Sequence, residues 1–446
     1  MNTDNFKSKL GIVAATAGSA VGLGNLWGFS YKAGTNGGGT FVLLYLFSVL
    51  FIGLPVMLAE FIIGREGKGG PVGSIEEITK SKKSPFLIGG YFGALSTFLI
   101  LSFYSVIAGW SIGYLLDGVV HGFSQYATMD TAEYFGATSG NLSKQIVLQG
   151  VFVALTVAIV IFGIQKGIEK LSKIMMPLLF LIILILVGYS LTLSGLGDAV
   201  SFLFKPSELP EGSSFFSVFA AALGQAFFSL SLGMGAVVTY ARAVNDDVNI
   251  NTISMQVVVC DTMIALLAGL AIFPIMFTYG LDPSSGAGLA FISLPIAFSE
   301  MPLGYVLGNL FFLLLVIAAL TSSISMLENS LSLVIEKSKL NRKSATIVLG
   351  IVVFLFGVLS QLGLGYASPL LSFTGGESFL DQLDLLTMIY LIPLGALCFI
   401  LLVGYKMDEA TIRKQINNDK IANLYIPYIK YVAPILVGLV LIVGLM

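Results

Sequence analysis

The stretch Gly18-Ser19-Ala20-Val21-Gly22-Leu23-Gly24-Asn25 decides how the chain is read. It interrupts an apolar segment running from about residue 10 to 31, and ~20 such residues are enough to cross a bilayer core as one helix. Glycine costs a helix about 1 kcal/mol against alanine, and in hydrocarbon every backbone group released from the helix must find a partner inside the protein. A single string of this kind also suits a close-packing face of small residues between helices. The chain, however, carries a second string, Ser229-Leu230-Ser231-Leu232-Gly233-Met234-Gly235, inside another apolar segment at about 214–242. Interrupted segments at matching places in two halves point to a transporter with an inverted repeat and a binding site near the membrane midplane. There, half-helix N-termini can meet a carboxylate while unwound carbonyls hold Na⁺.

Outward from these strings, apolar runs of spanning length recur at about 38–64, 86–116, 146–163, 174–195, 251–280, 303–335, 345–362, 382–405 and 427–446, which with the two broken segments makes eleven spans. The stretch 283–300 is too short to span and is expected as a helical hairpin over one face; 117–145 is expected as the longest aqueous loop. Composition agrees: 56% of the residues are hydrophobic and only 11% charged, with a mean hydropathy of +0.93, against roughly 25% charged in a soluble domain. A net charge of -2 shows no basic excess for nucleic acid. Cys260 and Cys398 sit in apolar runs and His121 is the single histidine, which argues against a disulfide framework, a Cys or His metal cluster and a Ser/His triad. The polar lead Met1 to Lys9 runs straight into the first span, so no removable signal peptide is expected. Of the 23 basic residues only Lys32, Lys144 and Lys205 fall on one set of alternate loops, which places the N-terminus in the cytoplasm and, after eleven spans, the C-terminus outside.

In these strings the chain resembles the neurotransmitter:sodium symporter family, in its bacterial eleven-span amino-acid branch. The resemblance covers ten spans and is carried by Gly18 to Asn25, Asn36-Gly37-Gly38-Gly39, Gln225 to Gly233 and Leu320-Thr321-Ser322-Ser323. It implies an all-α polytopic membrane protein with a 5+5 inverted-repeat fold plus one extra C-terminal helix. Residues 1–446 would form one domain in the cell (inner) membrane, with repeat one at about 10–195, repeat two at about 214–405 and the extra span at 427–446. It implies two bound Na⁺ as well. One would use the Ala20 carbonyl, Asn25, Ser229 and Asp261; the other the Gly18, Val21 and Ala318 carbonyls with the Thr321 and Ser322 hydroxyls. Residues 318, 321 and 322 do share one helical face, though such hydroxyls also bond the carbonyl of their own preceding turn.

The implied substrate pocket comprises Ala20, Leu23, Gly24, Ile100, Phe103, Tyr104, Phe228, Ser231, Met234, Ser322, Ser325 and Met326. Tyr104 and the amides around Leu23 and Gly24 would take a carboxylate, and carbonyls near Ala20, Phe228 and Ser231 an amine. Core packing is the competing reading of Phe228, Met234 and Met326. Acids at membrane depth usually mark function. Of these, Glu60 is expected to support the broken sixth span and Glu328 to line the cytoplasmic path. Asp261 stands where chloride-dependent relatives carry Asn, and Ala265 where they carry a chloride-ligating Ser. The gates depart from the family pattern: Gly28 occupies the outer Arg position, leaving Lys32 to pair with Asp384, while Thr3 occupies the inner Arg position opposite Glu336, leaving Lys7 or Lys9 as stand-ins. Phe6 takes the place of a plugging Trp. The expected function is Na⁺-driven import of a hydrophobic or aromatic L-amino acid by alternating access, independent of chloride. A channel or receptor-like protein for a small amine or amino acid is the alternative, without a pore-loop string or a ligand domain to support it. A membrane enzyme lacks the clusters it would need. Oligomeric state is not encoded in these patterns.

Overall fold

The computed structural model describes residues 5–284, 286–363 and 378–444. Among them, helices account for nearly all regular structure, and the β-type pairing is an isolated bridge between Gly38 and Pro206. Helix α1 (Lys9–Ala20) and α2 (Gly24–Thr35) form a first span bent by 52° at its break. They are followed by α3 (Gly39–Gly67), a short α4 (Pro71–Thr79), α5 (Leu87–His121), α6 (Thr131–Ser139), α7 (Leu142–Val160), α8 (Ile164–Ser190) and α9 (Leu196–Phe204). The second half runs through α10 (Phe215–Ser229), α11 (Ala236–Ala241), α12 (Ile250–Thr278), α13 (Ser293–Glu300), α14 (Gly304–Lys337), α15 (Arg342–Leu362), α16 (Phe379–Lys406), α17 (Glu409–Ile416) and α18 (Asp419–Leu439). Among the described residues nine helices are long and apolar enough to span alone, and the bent α1–α2 pair makes a tenth. The remaining expected span is the α10–α11 pair, broken at 230–235 as its Gly-rich string requires.

Several expected boundaries are corrected. The fifth span begins at Ile164 and not near 174, because Lys166, Glu169, Lys170 and Lys173 ride on its first turns, where a hydropathy reading sees only charge. The chain reverses just before it at Gly163, whose φ of 82° is left-handed. The loop 117–145 is largely helical: α5 continues to His121, and α6 docks through Tyr134 to Asp117 (2.9 Å), which also holds Lys144 at 3.1 Å. In 283–300, one 3₁₀ turn at Gly286–Leu289 and α13 leave the segment short of a span.

The two helices facing the broken elements form the centre. The apolar windows of α5 and α14 are 83% and 78% buried, against 39% for α7 and 33% for α18. With lipid as apolar as leucine, association depends on close packing and interhelical hydrogen bonds, and α14 supplies these along its length. Ser323 meets Thr156 (2.9 Å), Ser330 meets Thr97 (2.8 Å), and Asn329 donates to the Met234 carbonyl (2.8 Å) while accepting from Thr239 (2.6 Å). These bonds tie α5, α7 and the α10–α11 break to one rigid rod.

Candidate functional site

The α1–α2 break bends where Val21 leaves the helix with ψ of 111°. A side chain at Gly22 would put its Cβ 2.4 Å from Ser322 Oγ and 2.8 Å from the Tyr104 hydroxyl, so glycine lets the broken backbone touch α14 and α5 together. The second break carries Ser231, Gly233 and Gly235 at positive φ. Its freed Gly233 amide donates to Glu60 Oε1 at 2.6 Å, as expected of a carboxylate supporting unwound backbone.

Around the end of α1, five oxygens converge. Ser322 Oγ lies 3.0 Å from the Val21 carbonyl and 3.4 Å from that of Gly18, and Thr321 Oγ1 lies 3.4 Å from the Val21 carbonyl and 2.9 Å from that of Ala318. The α1 carbonyls carry the negative end of its helix dipole. Hard, neutral oxygens in this arrangement suit a singly charged cation such as Na⁺. A second polar cluster lies across the break. Asn25 Nδ2 donates to Asp261 Oδ1 (2.7 Å), to the Asp261 carbonyl (3.1 Å) and to Ser229 Oγ (2.8 Å), while Ser229 Oγ donates to Asp261 Oδ2 at 2.7 Å. Tyr45 approaches the same oxygen at 3.4 Å, and Asn25 Oδ1 accepts the Gly22 amide at 3.0 Å. Asn25, Ser229 and Asp261 are all fully buried. A buried carboxylate held by neutral donors, with no basic side chain paired to it among the described residues, is a natural partner for a cation. Ala20 is the last residue of α1, and Ala265 is buried one turn along α12 from Asp261.

Between the clusters lies the expected substrate pocket. The Tyr104 hydroxyl accepts the Leu23 amide (3.1 Å), Ser19 Oγ donates to Ser325 Oγ (2.8 Å), and Ser231 Oγ donates to the Ser19 carbonyl (2.9 Å). The Phe228 ring covers Gly24, leaving 2.8 Å for a Cβ there. Leu23, Gly24, Phe103, Tyr104 and Phe228 border an outer cavity of about 110 Å³. Ile100, Ser231, Met234, Ser322, Ser325 and Met326 are buried and do not border it.

The gate residues fall differently from expectation. Lys32 and Asp384 border the outer cavity from separate helices, yet no ion pair within 4.0 Å joins them among the described residues, because the cavity lies between them. Glu336 does not pair with Lys7 or Lys9. Its carboxylate accepts the Gly70 (2.6 Å) and Gly73 (3.0 Å) amides at the start of α4, where unsatisfied N–H groups and the helix dipole favour an anion. Thr3 lies outside the described residues. Phe6 is buried and meets Tyr240 edge-on at 6.1 Å. Glu328 does not line an open path: it is fully buried and clamped by Arg242 (2.8 Å) and Arg342.

Sequence reasoning missed Glu169, which accepts the Lys7 amide (2.9 Å) and Ser8 hydroxyl (3.2 Å) and pairs with Lys173 at 2.6 Å, fastening the N-terminal lead to α8. A single acid among Lys166, Lys170 and Lys173 was the available signal. It also missed Gln225, which donates to the Gly24 carbonyl at 2.7 Å and so binds one broken element to the other; a buried glutamine inside a span would have marked it.

The broken pairs, the oxygen clusters at their ends and the pocket between them define a membrane carrier that moves a small solute with cations. The model of the sodium:neurotransmitter symporter family matches residues 3–125 and 124–446, and the chain belongs to that family of sodium-dependent transporters, which are not enzymes. An uncharacterized sodium-dependent transporter of Bacillus subtilis (strain 168), YhdH, is 36% identical over 93% of this chain and 90% of its own length. An uncharacterized sodium-dependent transporter of Haemophilus influenzae is 34% identical over the whole of both chains. The crystal structure of MhsT in complex with L-phenylalanine superposes with a TM-score of 0.91 at 37% identity, covering 99% of each chain.

Proposed function

We propose that the protein imports a large apolar or aromatic L-amino acid by alternating access, driven by two Na⁺ and independent of chloride. The observation that carries this reading is the meeting of the Tyr104 hydroxyl with the Leu23 amide inside the first break, between two oxygen clusters of opposite character. A substrate carboxylate entering there replaces the Tyr104–Leu23 bond with two bonds of its own, one from each donor. Its ammonium group faces carbonyls of Ala20, Phe228 and Ser231, and its side chain meets Ile100, Phe103, Phe228, Met234 and Met326. Methionine adapts its shape, which favours a range of bulky side chains over one. MhsT, bound to L-phenylalanine, supports this class of substrate.

Each oxygen cluster holds one Na⁺ on this reading. The Gly18–Val21–Ala318–Thr321–Ser322 cluster relies on neutral oxygens. The Ala20–Asn25–Ser229–Asp261 cluster brings its own fixed negative charge and, with Ala265 beside it, has no hydroxyl for an anion at that position. The chain lies in the inner membrane with its N-terminus in the cytoplasm and its C-terminus outside, as a single domain of two five-span repeats and one added helix. Uptake of labelled phenylalanine, tyrosine and leucine into proteoliposomes under an imposed Na⁺ gradient tests the proposal, with every common amino acid as competitor and gluconate in place of chloride. Preference for a charged amino acid or glycine, or a strict chloride requirement, refutes it.

A further inference from the structure

We propose that the C-terminal helix α18 is a working part of the carrier: its Tyr428 hydroxyl supplies the hydrogen bond that Pro55 denies to α3, and so positions the second break. Pro55 stands inside the long span α3. Proline has no N–H, and its ring crowds the carbonyl four residues back, which here is that of Phe51. The turn before it, Val49–Gly53, is wound as a π-helix, with the Leu54 amide donating five residues back to the Val49 carbonyl. Bulges of this kind occur often at functional sites. A carbonyl released by a proline and a bulge at membrane depth has no water to turn to and needs a donor from a neighbouring helix. Helix α18 provides it. The Tyr428 hydroxyl donates to the Phe51 carbonyl, and the Tyr425 hydroxyl, one turn away, donates to the Pro55 carbonyl at 3.2 Å.

The bulge lies between two residues that reach the site. Tyr45, before it on α3, approaches Asp261, and Glu60, after it, holds the Gly233 amide of the second break. Gly53, the last residue of the bulge, faces that break directly: a Cβ there would sit 2.7 Å from Leu230 Cδ1. Helix α16 presses on the same break, since a Cβ at Gly395 would lie 2.1 Å from the Gly233 carbonyl. Helix α18 is tied to α16 as well, because the Tyr405 hydroxyl donates to the Lys430 carbonyl at 2.7 Å. It therefore clips together the two helices whose glycines pack on residues 230–233. Without the Tyr428 hydroxyl the Phe51 carbonyl is stranded, the bulge relaxes to find another donor, and Gly53 and Glu60 shift against the break. Tyr428 acts through α3, which makes it a positioning residue.

Tyr428→Phe removes one hydroxyl and keeps the ring. In the purified full chain, amide hydrogen exchange over residues 49–57 and 230–235 should speed up about threefold to tenfold, the range set by one lost hydrogen bond. Tyr431→Phe, at an exposed tyrosine three residues on, should change neither segment. Pro55→Ala returns an N–H within reach of the Phe51 carbonyl, so in that background Tyr428→Phe should alter exchange by less than about twofold, the signature of two residues acting on one bond. A second readout, binding of labelled phenylalanine across a Na⁺ titration, rests on the function proposed above. Half-saturating Na⁺ should rise about threefold in Tyr428→Phe, while the Pro55→Ala/Tyr428→Phe double variant should match Pro55→Ala. A native protein that binds no phenylalanine refutes that choice of substrate and leaves the exchange comparison intact. Unchanged exchange in Tyr428→Phe overturns the proposal, as does an equal effect with and without Pro55. Faster exchange with an unaltered Na⁺ response overturns the positioning role. Should Pro55→Ala fold poorly, Tyr428→Phe against Tyr431→Phe still decides.

Discussion

Replacing Asp261 by asparagine removes one charge and changes almost nothing else. The side chain is fully buried and receives Asn25 Nδ2 and Ser229 Oγ, each at 2.7 Å. Asparagine keeps the volume and one acceptor oxygen, but its amide group faces a donor that formerly met an anion. A cation a few ångströms from a carboxylate gains about 4 kcal/mol at an effective dielectric of 20. The carboxylate's own desolvation offsets part of that gain, so the net loss should match a charged hydrogen bond, about 1.5–3 kcal/mol. At 1.4 kcal/mol per factor of ten, half-saturating Na⁺ for substrate binding should rise about 10- to 100-fold. Equilibrium binding of labelled phenylalanine across a Na⁺ titration measures this directly, free of gating effects. With Ala265 retained, added chloride should not restore affinity; Ala265→Ser in the Asp261→Asn background should confer partial chloride dependence. Half-saturating Na⁺ within twofold of the native value would refute the charge argument and move the ion elsewhere.

Three further outcomes follow from contacts already described. Gly22→Ala places a methyl 2.4 Å from Ser322 Oγ and 2.8 Å from the Tyr104 hydroxyl, so substrate binding should fall at least about 100-fold, consistent with overpacking costs of 1–3 kcal/mol added to a lost hydrogen bond; near-native binding would show that the break can widen. Glu169→Gln weakens the hold on Lys7 and Ser8, and hydrogen exchange in residues 5–12 should speed up about tenfold or more; unchanged protection would mean that Phe6 packing alone fastens the lead. Glu328→Gln strands Arg242 and Arg342 around a buried neutral group and should cost about 3–5 kcal/mol, seen as a lower thermal-unfolding midpoint in detergent that Arg242→Gln in the same chain partly restores.

The parts of the fold legible in the sequence were those written in backbone chemistry and bulk hydropathy. Glycine strings at 18–25 and 229–235 announced two breaks, and each occurs where backbone must leave the helix. The start of α8 was hidden because Glu169 and three lysines ride on helical turns that read as loop, and α6 because Tyr134 and Asp117 find each other only after the chain has folded. Side-chain partners were least legible where the partner is backbone. Glu336 looked like half of an ion pair, yet two amides at the start of α4 satisfy it, and nothing in Gly70 or Gly73 as letters advertises a vacant N–H. Gln225 was quoted within a family string, but its orientation toward Gly24, 201 positions away, depends on the mutual placement of two broken helices.

The side chain of Asn25 joins the first break to the Asp261 cluster. Its Oδ1 is occupied by the Gly22 amide at 3.0 Å, while its Nδ2 reaches Asp261 and Ser229. On the proposed reading, a Na⁺ taking Oδ1 as a ligand would share it with the Gly22 N–H, since an amide oxygen has two lone pairs, and that N–H lies one residue from the Leu23 amide bonded to Tyr104. The proposed ion and the proposed substrate carboxylate would thus meet on neighbouring backbone amides of the same break. Were the two coupled through this contact, linkage would require each to raise the other's affinity by the same factor.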